Sequence, residues 1–138
     1  MDSTEFTVLD LAGSEDQRYC WRRHAGWPSC KGLVFVLDAA DSTRAAEAAE
    51  CLRDVLSERP TACTIPLLVF ANKQDLPDAM SQEEATAALR LPEVAGDHPF
   101  RVQPCCADDS TALQEGLVWL LDAMLAHRWA TGVRDAVR

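Results

Sequence analysis

The chain has no apolar stretch long enough to cross a lipid bilayer. Its longest apolar runs are residues 33–37 and 65–71, whereas a membrane-spanning helix needs ~20 apolar residues. The first residues also lack the basic segment followed by an apolar one that marks a secreted protein. Asp2 stands where N-terminal myristoylation requires glycine. These absences predict a cytoplasmic protein without a membrane span or an evident lipid anchor.

Metal-binding cysteine patterns are absent too. No Cys-x-x-Cys pair occurs, and the nearest approach to a cluster, Cys20, His24 and Cys30, lacks the second ligand pair that a zinc site requires. Without a secretion signal, an even number of cysteines does not indicate disulfides. We therefore expect reduced thiols at all six positions, namely Cys20, Cys30, Cys51, Cys63, Cys105 and Cys106.

Positive charge is scarce. Thirteen Lys and Arg residues against 22 Asp and Glu residues give a formal net charge of −9. Nucleic-acid phosphates repel a field of this sign, so we expect no nucleic-acid partner. A length of 138 residues and an apolar content of 48% indicate one globular domain, which we expect to be monomeric.

Apolar runs alternate with amphipathic segments along the chain. Strands are predicted at residues 7–11, 32–38, 65–71 and 100–105. The third strand is apolar on both faces, which is typical of a parallel strand buried between helices. Helices are predicted within residues 15–25, from a Ser42 cap to Glu58, from a capping box at Ser81 until Pro92 ends the helix, and from a Ser110 cap onward. The alternation predicts βαβ crossovers and a parallel sheet.

The segment after the third predicted strand is the sharpest candidate site. Ligands of open parallel sheets bind at the carboxyl ends of the strands, where this chain has Asn72, Lys73, Gln74 and Asp75. Guanine presents two adjacent donors, N1–H and N2–H₂, which the Asp75 carboxylate can accept together, whereas adenine offers no such pair. Asn72 can brace the loop or contact the base, and the alkyl stem of Lys73 can lie along the purine. The tetrad therefore predicts a guanine site.

Asp10 and Gly13 form an Asp-x-x-Gly turn after the first predicted strand. A carboxylate in such a turn can reach Mg²⁺, often through water, and the glycine N–H can meet a terminal phosphate. An ordinary turn capped by aspartate is the alternative interpretation of the same spacing. Asp38 and Asp41, after the second predicted strand, are interpreted as strand-end and turn residues without chemistry.

Four segments together resemble the ADP-ribosylation factor and factor-like small GTPases. They are D-L-A-G at 10–13, G-L-V-F-V-L-D at 32–38, L-V-F-A-N-K-Q-D-L-P-D-A-M at 68–80 and E-G-L-V-W-L at 115–120. The likeness extends over residues 5–127, which would be the C-terminal part of a small GTPase domain, and leaves residues 128–138 as a tail.

The resemblance implies an α/β, partial Ras-like P-loop GTPase fold, a mostly parallel sheet with flanking helices. It also implies GTP or GDP and Mg²⁺ as ligands, effector or regulator proteins as partners, and a role in vesicle traffic or membrane-linked signalling. By the same resemblance, Cys106 and Ala107 form the loop whose backbone N–H supports the guanine oxygen.

The departures from the family concern the phosphates. No Gly-x-x-x-x-Gly-Lys-Ser/Thr loop occurs in the sequence, and we expect the first strand, phosphate loop, first helix and second strand of the family fold to be missing. In the family sheet the first strand lies between the strands predicted here at 7–11 and 32–38. The amphipathic anchor of many members is missing too, so a peripheral membrane location is expected only for a longer parent that carries it.

Hydrolysis and partner choice are affected within the matched region. Ser14 stands where the family usually has the Gln that orients the attacking water, so we expect an inactive GTPase.

Two functions stay open. One is a guanine-nucleotide switch with weak binding in this chain, and the other is a nucleotide-independent interaction module. The second would use Trp21, Trp27 and the basic residues that follow Gly13.

Overall fold

A computed structural model describes residues 5–25, 28–58 and 64–130. A short 3-10 turn at Glu15–Gln17 leads into α1, Tyr19–Ala25. The later elements are β1 Leu33–Asp38, a second 3-10 turn Ser42–Arg44, α2 Ala45–Ser57, β2 Leu67–Asn72, α3 Gln82–Ala88, α4 Leu91–Val94, β3 Phe100–Pro104 and α5 Ser110–Ala130. None of these helices combines the length and apolarity that crossing a membrane requires.

The sheet contains three parallel strands in the order β1-β2-β3. Leu33 of β1 pairs with Leu67 of β2, which in turn pairs with Phe100 of β3. β2 is the central strand, and its first five residues are all buried. The parallel α/β arrangement predicted from the alternation of strands and helices is confirmed.

Helices cover both faces of the sheet because successive side chains of β2 point to opposite sides. Leu67 and Val69 pack into the larger core, which α2, α3 and α4 complete with Leu52, Ala85 and Leu91. Leu68 and Phe70 pack into a smaller core with Leu120 of α5. The apolar run of β2 thus serves two separate cores.

Gly116 sets how closely α5 approaches the sheet. A Cβ atom at this position would meet Phe70 Cε1 at 2.7 Å and Gln103 Cγ at 3.3 Å. Both neighbours are buried, with Phe70 only 7% exposed. No ordinary side chain therefore fits between α5 and β2 here.

Replacing Gly116 with alanine should destabilise the chain by roughly 1–3 kcal/mol, because the added methyl overpacks the contact with Phe70. The sign is diagnostic, since alanine normally stabilises a helix interior by about 1 kcal/mol over glycine. Urea unfolding measures the difference, and Ala126→Gly at an exposed site of α5 gives the ordinary helix cost as control. Stabilisation by Gly116→Ala would contradict the close packing.

The strand predicted at residues 7–11 is wrong. Residues 5–13 have no regular secondary structure, and Val8 and Leu9 are 84% and 56% exposed. β propensity acts only where a neighbouring strand accepts the backbone hydrogen bonds, and none of the three described strands lies beside this segment. Asp10 and Gly13 therefore follow irregular chain and not a strand.

β1 is an edge strand within the described part of the chain. The N–H groups of Leu33 and Ala39 donate to Pro66 O and Asn72 O of the β2 side, at 3.0 and 3.1 Å. Backbone groups alternate in direction along a parallel strand, so those of Val34 and Val36 point away from β2. These valines are 42% and 63% exposed.

The helix boundaries confirm one predicted cap and correct two. Ser81 forms the predicted capping box, accepting from Glu84 N–H at 3.2 Å and donating its own N–H to Glu84 Oε2 at 2.8 Å. Ser42 makes no cap hydrogen bond, because a 3-10 turn precedes α2. Ser110 is the first residue of α5, and the preceding Asp109 accepts from Ala112 N–H at 3.0 Å.

The predicted end of α3 at Pro92 is also wrong. α3 ends earlier, and Arg90 takes a left-handed conformation with φ of 50°. Pro92 lies in the first turn of α4, where a missing N–H costs nothing.

Asp109→Ala should lower the unfolding free energy by about 1 kcal/mol, the usual effect of losing an N-cap. Ser110→Ala should be nearly neutral, because the Ser110 side chain makes no cap bond. Chemical denaturation of both variants at pH 7 tests the assignment. A larger loss for Ser110→Ala than for Asp109→Ala would reverse it.

Candidate functional site

The predicted guanine-reading tetrad lies at the carboxyl end of β2, between the ends of its two neighbours. Ala39 N–H, just after β1, donates to Asn72 O at 3.1 Å. Gln74 N–H donates to Cys105 O, just after β3, at 3.1 Å. The loop is thus attached to both flanking strands by backbone hydrogen bonds.

Gln74 closes this loop from inside. Its side-chain amide donates to Ala71 O at 3.2 Å and to Met80 O at 3.0 Å, so it joins the start of the loop to its far end. Sequence reasoning gave Gln74 no role. The signal for one was its amide, which can serve two carbonyls at once.

Lys73 has a left-handed backbone, with φ of 67°, a conformation uncommon for residues other than glycine. Its Nζ donates to Asp38 Oδ2 at 2.6 Å. Asp38 is fixed in turn by Ala40 N–H, which donates to its Oδ1 at 3.0 Å. Asp38, interpreted from the sequence as having no chemistry, is therefore tied to the tetrad.

The ion pair shifts both partners in the expected directions. The hydrogen bond from Lys73 lowers the pKa of the Asp38 carboxyl, and the same bond raises the pKa of Lys73. Their side chains are 42% and 49% exposed. Solvent and salt therefore screen the attraction.

The destabilisation caused by Asp38→Asn should depend on pH. A lowered folded pKa means that Asp38 contributes stability above the ordinary carboxyl pKa and loses it as the pH falls through the folded value. The difference in unfolding free energy from the native chain should therefore be present at pH 7 and shrink below about pH 4. Urea unfolding in low salt measures it, with Asp78→Asn as the control for a lost charge. A pH-independent difference would contradict the ion pair.

Cys105, Cys106 and Ala107 follow β3 at the same edge of the sheet. Cys105 N–H donates to Ala71 O at 3.0 Å, and burial raises the pKa of its thiol. Cys106 is half-buried, Ala107 is exposed, and Cys106 O accepts from Asp109 N–H at 3.0 Å. The structure thus brings the predicted base-supporting loop beside the tetrad.

Asp75, like Lys73, is an exposed member of the tetrad. Its carboxylate makes no hydrogen bond or ion pair with the residues described, although its charge contributes to the raised pKa of Lys73. Both oxygens are free to accept donors from a ligand.

The Asp-x-x-Gly turn is bonded to residues outside the tetrad. Trp21 Nε1 donates to Ala12 O at 2.8 Å and Arg18 Nε donates to Gly13 O at 3.0 Å. Trp21 also meets Phe35 of β1 edge-on, with ring centroids 6.2 Å apart. These bonds attach the turn to α1 and β1, and no described hydrogen bond joins Asp10 or Gly13 to the tetrad.

A divalent metal has no complete set of protein ligands among the described residues, because no three His, Cys, Asp or Glu side chains come together there. Asp10 is a single exposed carboxylate. Ser14 lies at the start of the Glu15–Gln17 turn, where its carbonyl accepts from Gln17 N–H at 2.9 Å. Asp10 therefore offers one carboxylate, and Mg²⁺ there would depend on phosphates and water for its other ligands.

The chain is similar to the Arl6 BBS3 small GTPase from Trypanosoma brucei, solved with the nucleotide analogue GppNp bound, with a TM-score of 0.74 and 27% identity. The match covers 85% of this chain and 70% of that one. The fold is therefore a Ras-like GTPase fold in partial form.

The amino-acid sequence gives a more specific assignment than the fold. The model of the ADP-ribosylation factor family matches residues 1–124. The chain belongs to the ADP-ribosylation factor family, as its resemblance to that family predicted.

Proposed function

We propose that this member of the family recognises guanine nucleotide chiefly through the base, as a factor-like small GTPase chain with little or no turnover. The observation that carries the proposal is the Asp75 carboxylate, which is exposed and has no hydrogen-bond or ion-pair partner among the described residues, in a loop fixed to the chain after β1 and β3. An acceptor pair held in this way is pre-organised for the two adjacent donors of guanine.

The other tetrad residues would complete the base contacts. The Lys73 stem would lie along the purine face, and Asn72 would brace the loop or meet the base. The backbone N–H in the loop of Cys106 and Ala107 would donate to the guanine oxygen. Neither Cys106 nor Ala107 is fully buried.

We expect the phosphates to contribute less to binding than the base. The sequence has no Gly-x-x-x-x-Gly-Lys-Ser/Thr loop, and the one lysine of the tetrad is engaged by Asp38. Mg²⁺ commonly uses one or two carboxylates together with phosphates and water, so Asp10 would be its protein ligand and Gly13 N–H would meet a phosphate. With Ser14 in place of the water-orienting Gln, hydrolysis would be slow.

Calorimetry with GDP tests the proposal. We expect a dissociation constant of about 1 mM, which a few base contacts can supply, and binding of ADP about tenfold weaker, because adenine lacks the donor pair. Asp75→Asn should weaken GDP by a similar factor and favour xanthosine diphosphate, whose carbonyl can accept from the new amide. Asp78→Asn is the matched control. No heat with millimolar GDP, or equal heats with ADP, would overturn the proposal.

A nucleotide-independent interaction module is the second candidate, favoured by the missing phosphate loop. Trp21 is half-buried with its indole bonded to Ala12 O, and Trp27 lies outside the described residues. The surface that α1 offers is instead Tyr19, which is 68% exposed, with Arg22 and Arg23. An absence of GDP binding would favour this function.

The proposal also covers the partners, the oligomeric state and the cellular role of the chain. We propose effector or regulator proteins as partners, a monomeric state and a place in vesicle traffic or membrane-linked signalling. Residues 5–127 would be the GTPase part and residues 128–138 a tail, although α5 continues to Ala130. The location would be cytoplasmic, and peripheral at membranes for a parent with an N-terminal anchor.

A further inference from the structure

Asp38 is the one acidic residue that bonds directly to a side chain of the tetrad within the described part of the chain. It ends β1 opposite Asn72, with which it is in register. The two strand ends therefore hold Asp38 and Lys73 at the same level of the sheet. Their separation of 35 residues in the sequence gives no local hint of the contact.

Asp38 is held in place by hydrogen bonds to both of its carboxylate oxygens. One carboxylate oxygen accepts from Ala40 N–H and the other from Lys73 Nζ. The next residue, Ala39, is fully buried and bonds by its N–H to Asn72 O and by its O to Met80 N–H at 2.8 Å. The turn after β1 thus contacts the tetrad loop at its beginning, its lysine and its end.

Lys73 needs such a partner. A four-carbon stem has several rotamers of similar energy, and the Lys73 side chain is 49% exposed. An ammonium fixed at 2.6 Å from a braced carboxylate restricts the stem to few of these rotamers. A purine that stacks on the stem then loses less side-chain entropy on binding.

We propose that Asp38 is a positioning residue of the guanine site, which holds the Lys73 stem as a wall for the purine. The inference rests on the proposed function, and it adds a residue from β1 to a site otherwise built from the ends of β2 and β3. Asp38 itself would touch neither the base nor the phosphates.

The test is a double-mutant cycle on GDP affinity, measured by ¹H–¹⁵N NMR titration of the full chain. Asp38→Ala should weaken GDP about three- to fivefold, the upper range for an exposed ion pair. In a Lys73→Ala background the same change should have no effect, because the stem it positions is gone. Asp78→Ala, in the same loop without an ion pair, should leave the affinity unchanged.

A second readout separates positioning from a general loosening of the loop. The ratio of GDP to inosine diphosphate affinity reports the guanine 2-amino group, which Asp75 would read. Asp38→Ala should weaken both ligands equally and keep the ratio, whereas Asp75→Ala should lower it. Asp38→Glu should restore part of the affinity lost in Asp38→Ala.

The outcomes distinguish this inference from the function it rests on. Failure of the native chain to bind GDP would overturn the proposed function and this inference together. GDP binding by the native chain with no loss in Asp38→Ala, an equal loss in the Lys73→Ala background, or a changed GDP to inosine diphosphate ratio would overturn the positioning role alone.

Discussion

The hydrogen bonding of β2 on both sides is the constraint on which the described fold depends. β1 and β3 each pair with β2 and not with one another. Leu67 and Val69 anchor the core under α2, α3 and α4, while Leu68 and Phe70 anchor the core under α5. A single six-residue strand thus fixes the sheet, both helical layers and the position of the loop that follows it.

The loop that follows β2 is also fixed by backbone hydrogen bonds to the chain on either side. Asn72 and Gln74 are bonded through their backbones to the chain beyond β1 and β3. Lys73 pairs with Asp38, and Gln74 bonds to Ala71 O and Met80 O, while Asp75 is exposed. The turn of Asp10 and Gly13 is held differently, by side-chain hydrogen bonds from Trp21 and Arg18 and not by backbone bonds to the strands.

Local patterns predicted the parts that local forces determine. The apolar run of β2 and the Ser81 capping box both depend on residues close in sequence, and both are confirmed. Residues 7–11 have strand composition, but a strand also requires a neighbour that composition does not reveal. Ser110 and Asp109 are both good caps, so only the actual start of α5 distinguishes them.

In the candidate site, too, local sequence features were predictable and contacts between distant residues were not. The position of Asn72, Lys73 and Asp75 at the carboxyl end of a buried strand was predictable from the sequence. The contact of Asp38 with Lys73 was missed because it arises from the register between two strands, which brings together residues far apart in the chain. A parallel alignment of the predicted strands 32–38 and 65–71 at their ends pairs Asp38 with Ala71, which directly precedes the tetrad.

The backbone amides of β1 are of two kinds, because only one edge of the strand is paired within the described part of the chain. Amides that point to β2, such as those of Leu33, Phe35 and Leu37, are shielded until the sheet opens, whereas those of Val34 and Val36 face outward without a partner among the described residues. Solvent deuterium should therefore enter β1 at alternate residues, fast and slow. Within the described part of the chain, the strand that ends in Asp38 is thus paired along one edge and unpaired along the other.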